Sequence, residues 1–312
     1  MIHTHRYTLA LLIALLFGSG AVAQTQTEAP KTLTLVTYNM ENVFDVFDDP
    51  YHPDEGTRVK PREEYEQIAA LLKKLDADVI ACQEIENEGV LKAFVREFLP
   101  NMGYRYVAAA ASNDGRGIRT AIISRLPIVS ITSYRFLDLK LEGDDRTWQF
   151  ARDLMHVKLQ ATKDRTLDAF IVHLKSKRGE AGDPQSGKWR LAEATMAKGI
   201  IDAELAKNPD AWLLITGDFN DTPDAPPIQK LLEKTGDGPD AKAALTDLHA
   251  HIPQDKRITY LKKPYRSTID YVLVSSQLAN RVVKDSAIIV GPEDELKGSD
   301  HAPVLVKFDL SK

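Results

Sequence analysis

Hydrophobic and polar positions change their period several times along the chain. Residues 32–39, TLTLVTYN, alternate and are rich in β-branched side chains, which predicts a strand ending at Asn39. In PREEYEQIAALLKKL, residues 61–75, Tyr65, Ile68, Ala69, Leu72 and Leu75 recur at helical spacing behind a proline, predicting an amphipathic helix. ADVIACQE, residues 77–84, predicts a buried strand ending at Glu84. Val90, Phe94, Val95 and Phe98 mark a second amphipathic helix in GVLKAFVREFL. TAIISR (120–125), RDLMHVKLQ (152–160) and LDAFIVHLKS (167–176) predict successive strands, and KWRLAEATMAKGIIDAELAK (188–207) a long helix. LLITGDFN, residues 213–220, is a strand whose apolar run stops at Gly-Asp-Phe-Asn. STIDYVLVS (267–275) and APVLVKFDL (302–310) are two late strands.

Several strands are continuous apolar runs and helices are interspersed among them, so the pattern predicts sheets covered by helices, an α/β or α+β fold. One regularity is positional. Asn39, Glu84, His173, Asp218 with Asn220, and Asp300 with His301 fall at or just beyond strand ends, or between strands. Strand ends of one sheet system converge on one rim, which would gather these polar residues in space. Asp218 and Asn220 would point the same way if the extended chain continued. Taken alone the GDFN stretch would read as a polar turn.

The first residues change the picture of the mature chain. MIHTHR is a short basic start, YTLALLIALLFG an apolar core too short to span as a mature helix, and AVA a small-residue cleavage site before Gln24. Residues 1–23 are therefore expected to be a secretory signal peptide and 24–31 a flexible lead-in, leaving 32–312 as one catalytic domain. The product is expected to be secreted or periplasmic, monomeric, and without stable membrane association once the signal is removed. Cys82 is the only cysteine, so no intrachain disulfide is possible and a large core must hold the fold. A net charge of −5 argues against a protein that coats nucleic acid, but not against an enzyme that meets phosphates in one local cleft.

The candidate set is rich in oxygen: Asn39, Glu84, Asp218, Asn220 and Asp300. Such ligands suit hard divalent cations, magnesium with manganese or calcium as the alternatives. No HExxH or Cys/His cluster suggests zinc. His173 and His301 stand beside candidate ligands, whereas His52, His156, His249 and His251 lie in polar or surface-like settings without evident partners. A metal, two histidines and a phosphate-seeking cleft together describe phosphoester hydrolysis. KSKRG, residues 175–179, follows His173 directly; alone it would be a solvated basic loop, and its position makes it a candidate phosphate clamp. Arg116, Arg119, Trp189 and Arg190 are weaker candidates for substrate contacts. DVFDDPYHPDEG lacks the EF-hand spacing and reads as a surface loop.

TYNMEN, CQEIEN, RGIRTAIISRLPI, VHLKSK, ITGDFND, IDYVLVS and GSDHAPV occur in an order and spacing that resemble the endonuclease/exonuclease/phosphatase superfamily, the deoxyribonuclease I-like group, in its secreted bacterial branch. The resemblance covers nearly all of the mature chain. It implies a four-layer sandwich of two mixed β-sheets flanked by helices. It also implies that Glu84 is the principal metal ligand, with Asn39 and Asp300 beside it. Asp218 and Asn220 would hold the attacking water or a second metal. His301 would stand at the scissile phosphate with Asp270 fixing its tautomer, and His173 would be the second phosphate-binding histidine. Arg152 matches a phosphate contact of the nuclease relatives, and Lys175, Lys177 and Arg178 are expected to bind substrate. Two positions depart from the relatives: Val172 replaces an asparagine, and Arg119 an acid.

The expected function is thus a secreted, divalent-metal-dependent phosphodiesterase acting as a nuclease on DNA or RNA. The runner-up hydrolyses a small or lipid-derived phosphoester, such as an inositol phosphate, a sphingomyelin-like lipid or a nucleotide-derived compound. A non-catalytic binding protein on the same fold is the alternative of another class.

Overall fold

The computed structural model describes residues 31–47, 49–235, 242–243, 245–291 and 297–311. The expected leader and residues 24–30 lie outside the described residues. In chain order the first elements are β1 (Thr32–Val43), α1 (Arg62–Leu75), β2 (Val79–Ile85), α2 (Glu88–Phe98), β3 (Tyr106–Ala109), β4 (Arg119–Ser124) and β5 (Ile128–Ser133). Then come β6 (Leu154–Gln160), β7 (Thr166–His173), α3 (Gly187–Lys207), β8 (Trp212–Asp218), α4 (Pro226–Leu232), β9 (Lys234–Thr235) and β10 (Lys242–Ala243). The last are β11 (Thr246–Asp247), β12 (Asp270–Val274), α5 (Ser276–Ala279), β13 (Ile288–Ile289) and β14 (Val304–Asp309).

Two six-stranded sheets face each other, ordered β13-β14-β1-β2-β4-β3 and β11-β12-β8-β7-β6-β5. Both are mixed: β1 runs parallel to β2 and β7 parallel to β8, while the other neighbours are antiparallel. Period-two alternation sorts the side chains into layers. Leu33, Leu35, Val79, Ala81 and Ile122 of one sheet meet Met155, Val157, Ala169, Ile171, Leu214 and Val272 of the other. On the outer face of the first sheet, Val36, Tyr38, Ile80, Cys82 and Ile123 receive Ile68, Leu72, Leu91 and Phe94 of α1 and α2. Across the molecule, Phe170, Val172, Leu213 and Ile215 receive Ala194, Ala197 and Ile201 of α3 and Ile228 and Leu231 of α4. This is the helix–sheet–sheet–helix sandwich that the motifs implied.

Each long predicted element is present, with shifts at the ends. β1 does not stop at Asn39 but reaches Val43, because its ladder with β2 shifts register between Asn39 and Val43. Glu41 and Asn42 take left-handed backbone there, φ 49° and 48°. β3, β5 and α4 were not expected from the pattern. Cys82 is buried in the outer layer, opposite in direction to Gln83. No helix among the described residues is long and apolar enough to cross a membrane.

Candidate active site

The two parallel pairs deliver their C-terminal ends to the same rim. Asn39 sits in β1 and Glu84 in β2; His173 is the last residue of β7 and Asp218 the last of β8. Register sets Asp218 between His173 on one side and Asp270, the first residue of β12, on the other. Asp300 and His301 precede β14, the antiparallel neighbour of β1, and so return to the Asn39 end. Ser299 fastens that approach: its Oγ donates to the Asn39 carbonyl at 2.7 Å and accepts from the His301 amide at 3.0 Å. Residues scattered over the whole sequence meet because these strand ends meet.

Alternation explains most side-chain directions. His173 continues the face of Ala169 and Ile171, Asp218 that of Leu214, and Asp270 that of Val272, so all three extend the inter-sheet layer to its rim. Glu84 is the exception, since alternation would place it with Cys82 under the helices. A left-handed backbone at Glu84 (φ 62°) and a register shift between Cys82 and Ile85 turn it back to the rim. Gly217 lets β7 and β8 close beside Asp218: it has φ 137°, and a Cβ there would lie 2.0 Å from the Val172 carbonyl oxygen. The chain does not stay extended after Asp218. Asn220 adopts φ 54°, its amide nitrogen donates to Asp218 Oδ1 at 2.8 Å, and its Nδ2 donates to the Leu174 carbonyl at 3.0 Å. The two side chains still share the cleft, brought together by a turn.

The cleft holds about 1610 Å³ and is lined by Glu84, His173, Asp218, Asn220, Asp300 and His301 among others. Beneath it lie Asn39 and Asp270, 1% and 3% exposed. Asn39 Nδ2 donates to Glu84 Oε1 at 3.3 Å and to Asp218 Oδ2 at 3.1 Å. Its Oδ1 accepts from the Glu41 amide at 3.0 Å. Asn39 therefore stands as a bridge between two carboxylates, with its nitrogen toward them, which differs from the open oxygen ligand implied by the motifs. Glu84 Oε2 accepts from the Asn42 amide at 2.9 Å.

His301 Nδ1 meets Asp270 Oδ2 at 2.9 Å, leaving Nε2 at 3.8 Å from both Asp218 Oδ2 and Asp300 Oδ1. Burial alone would favour neutral His301. The charge and hydrogen bond of Asp270, with the charges of Asp218 and Asp300, outweigh it and raise its pKa to about 10. Asp218 is pushed up to about 7 by burial and by Asp270, against the pull of His301, the Asn220 amide and Asn39. His173 behaves oppositely. Burial and the charges of Arg152, His301 and Arg116 push it well below its ordinary value, so it is neutral. Its Nε2 lies 3.5 Å from Asp218 Oδ2, while its buried Nδ1 has no hydrogen-bond partner.

The expected substrate-binding residues divide. Arg152 is buried and lines the cleft, pairing with Asp114 Oδ2 at 3.1 Å and donating to the Leu174 carbonyl at 3.1 Å. Lys175, Lys177 and Arg178 also line it; Lys175 pairs with Glu180 at 3.2 Å and Lys177 with Asp221 at 3.1 Å. Arg116 lines the cleft and donates to Asn42 Oδ1 at 2.9 Å, and Trp189 lines it against Trp148, centroids 4.5 Å apart. Arg190 does not act as a surface contact. It is 2% exposed and donates to Asp221 Oδ2, the Lys175 carbonyl and the Gln185 carbonyl at 3.0, 3.1 and 2.8 Å. Arg119 is outside the cleft lining, opposite Ile85. Val172 is fully buried under the α3 layer, so neither departure from the relatives' pattern alters the cleft floor.

The other four histidines among the described residues also have partners that the pattern did not show: His251 Nδ1 lies 3.0 Å from the Leu248 carbonyl and His52 Nε2 3.8 Å from Asp49 Oδ2. His156 is buried, 2.8 Å from Asp168 and stacked on Phe170, and His249 is buried near the Leu305 carbonyl. Residues missed by sequence reasoning include Glu41, Glu193 and Tyr260. Glu193 is fully buried in α3 and accepts from the Ala151 amide at 2.7 Å and the Lys175 amide at 2.8 Å, holding the segments that carry Arg152 and His173. Its position three residues after Arg190 on one helix face was the available signal. Tyr260 lines the cleft with its ring 5.2 Å from His301.

The donor chemistry fits a hard divalent cation. Asp300 is raised by burial and, despite His301, by Glu84; Glu41 is raised by burial and by Asp300 and Glu84, against Lys60. Crowded carboxylates that disfavour one another's charge are what a bound dication would relieve. Asp218, Asp270 and His301 also offer ligand atoms within 4.8 Å of one another. In that trio, however, His301 Nδ1 is engaged with Asp270, which suits proton handling better than coordination.

Comparisons with known proteins bear on the fold and the family. A profile described as Endonuclease/Exonuclease/phosphatase family matches residues 34–295. No curated protein is matched by the chain in a sequence comparison. Among solved structures, the chain is similar to the human Nocturnin catalytic domain with bound sulfate: 15% identity, TM-score 0.62, covering 90% of this chain and 96% of that one. It is also similar to ANGEL2, a 2′,3′-cyclic phosphatase, in complex with adenosine-2′,3′-vanadate, at 17% identity and TM-score 0.64, covering 89% and 95%. A Bacteroides thetaiotaomicron endonuclease/exonuclease/phosphatase family protein shares 22% identity at TM-score 0.57, covering 90% and 99%. These likenesses establish the fold, and the matched profile spans most of the chain, so the protein belongs to the endonuclease/exonuclease/phosphatase family of phosphoester hydrolases.

Proposed function

We propose that the protein is an exported, divalent-metal-dependent phosphodiesterase that acts as a nuclease on DNA or RNA. The observation that carries this reading is the Asp270–His301–Asp218 cluster on the floor of a cleft whose walls hold Arg152, Lys175, Lys177 and Arg178. Glu84 and Asp300 would hold the cation, with Asn39 orienting Glu84; bound there, it would screen the carboxylates from the substrate and stabilise charge on a non-bridging oxygen. The side chains supply the rest. His301, kept protonated by Asp270, presents Nε2 to the phosphoryl group, donates a charge-assisted hydrogen bond and passes its proton to the oxygen that departs as the P–O bond breaks. Asp218, whose raised pKa makes it a usable base near neutral pH, takes the proton of the attacking water, with the Asn220 amide holding the carboxylate's other oxygen. Neutral His173 is a further contact for a phosphoryl oxygen.

The basic wall favours a polynucleotide over a small phosphoester, because it extends beyond the groups needed at one phosphate. The purified protein, given magnesium or manganese, is expected to cleave plasmid DNA or RNA in preference to inositol phosphates and sphingomyelin. Turnover confined to inositol phosphates or sphingomyelin would replace the nuclease reading with the small-phosphoester one.

A further inference from the structure

We propose that Thr259 is a positioning residue for the Asp270–His301 pair: its hydroxyl takes the place of a neighbouring strand at the head of β12 and so fixes where Asp270 aims its carboxylate. This rests on the phosphodiesterase reading and adds to it a residue set back from the cleft. Asp270 needs such support. Its Oδ2 meets His301 Nδ1 at 2.9 Å, but its Oδ1 is buried without a hydrogen-bond partner among the described residues. No second group steers the carboxylate, so its direction depends on the main chain of Asp270. That main chain opens β12. On one side it has β8, in register with Asp218. On the other side, β11 pairs with β12 only at Leu273 and Val274, so the ladder stops short of Asp270.

Thr259 fills that place. It is fully buried and outside the cleft lining, and its Oγ1 accepts from the amides of Ile269 and Asp270 at 2.9 and 3.0 Å. A hydroxyl oxygen has two lone pairs, so one side chain holds both donors. The main chain of Thr259 binds the same region from both sides. Its amide donates to the Ser267 carbonyl at 3.0 Å, and its carbonyl accepts from the amide of Ala302, the residue after His301, at 2.7 Å. Nearby, Thr268 Oγ1 donates to the Arg257 carbonyl, and the Leu261 amide donates to the Asp300 carbonyl at 2.8 Å. Residues 257–261 thus run as a strap between the segment that carries Asp270 and the one that carries His301, with Thr259 at its centre. Valine has the shape of threonine without the oxygen. Losing Oγ1 would strand two buried amides and let the head of β12 relax. Any shift of Asp270 reaches His301 Nε2, because the contact at Nδ1 sets the orientation of the ring.

Steady-state kinetics on bis-p-nitrophenyl phosphate, with magnesium or manganese, test this in Thr259→Val, Thr259→Ser and the double variant Thr259→Val/Asp270→Asn. Thr259→Val should lose about tenfold to hundredfold in kcat with KM nearly unchanged. Thr259→Ser keeps the oxygen and should retain most of kcat. In the Asp270→Asn background, Thr259→Val should cost little more, because the residue it serves is already lost. A threonine that only stabilised the fold would instead multiply its loss with that of Asp270→Asn. Should Thr259→Val fail to fold, Thr259→Cys decides, since sulfur is a weak acceptor in the same place. Its kcat is expected below that of Thr259→Ser, and an equal kcat would overturn the proposal. In an active enzyme, wild-type kcat in Thr259→Val, equal damage in Thr259→Ser, or a full further loss in the double variant would each overturn the positioning role and leave the phosphodiesterase reading standing. Wild-type protein that hydrolyses no phosphodiester would remove that reading together with the inference.

Discussion

Asp270 and His301 work as one unit, because the 2.9 Å contact commits Nδ1 and so decides what Nε2 presents to the cleft. His301→Ala should lower turnover by ~10²–10⁴-fold, the usual contribution of a positioned proton-transfer group. Asp270→Asn should lower it in the same direction while the protein stays folded. The double variant should be little worse than the worse single one, as residues acting together are non-additive. Steady-state kinetics on bis-p-nitrophenyl phosphate would show this, and multiplying losses would mean that the two act separately. Glu193 supports a prediction of another kind. Burial raises its pKa to about 7, even though it accepts two backbone amides and faces Arg152 and Arg190. The folded state therefore holds this proton more tightly than the unfolded chain. Its stabilising contribution is complete below the ordinary carboxylate range and is lost as pH rises through about 7. The difference amounts to about 3 kcal/mol. Urea unfolding across that window should show the wild type losing stability that Glu193→Gln does not lose. Parallel curves would refute the assignment.

At the scale of elements, the long ones were legible and the short ones were not. α1 and α2 show their buried stripes directly, β7 and β8 are apolar runs that end in chemistry, and β12 is one that begins with it. β5 escaped notice because it is an edge strand whose residues are mostly exposed, and α4 because it spans only seven residues, the first two of them prolines. In α3 the buried face includes Arg190, Glu193 and Lys198, so polarity does not separate inside from outside. That is why Arg190 looked like a surface residue. The turn of Glu84 toward the rim was not legible either, since it depends on left-handed backbone at a residue type that rarely adopts it. Gly217 shows how tightly one junction is built. Gly217→Ala should destabilise by well over 1 kcal/mol, because the conformation is incompatible with a Cβ and the Val172 carbonyl occupies its place. A melting temperature equal to wild type would contradict that.

For the whole molecule, the sandwich and the family were readable because their motifs sit at strand ends, where backbone topology determines what meets. The gathering of Asn39, Glu84, His173, Asp218, Asp270 and His301 follows from two parallel strand pairs pointing at one rim. What sequence could not provide was direction at that rim: which way the Asn39 amide faces, or that Glu193 holds two loops from behind. The central claim is hydrolysis of a phosphodiester at this rim with a divalent cation, and the most direct measurement is turnover of bis-p-nitrophenyl phosphate by the purified protein and by Glu84→Gln, with magnesium or manganese and then with excess chelator. Metal-dependent turnover that vanishes with chelator and is nearly abolished in Glu84→Gln is the predicted result. Full activity in chelator, or an unimpaired Glu84→Gln, would contradict it.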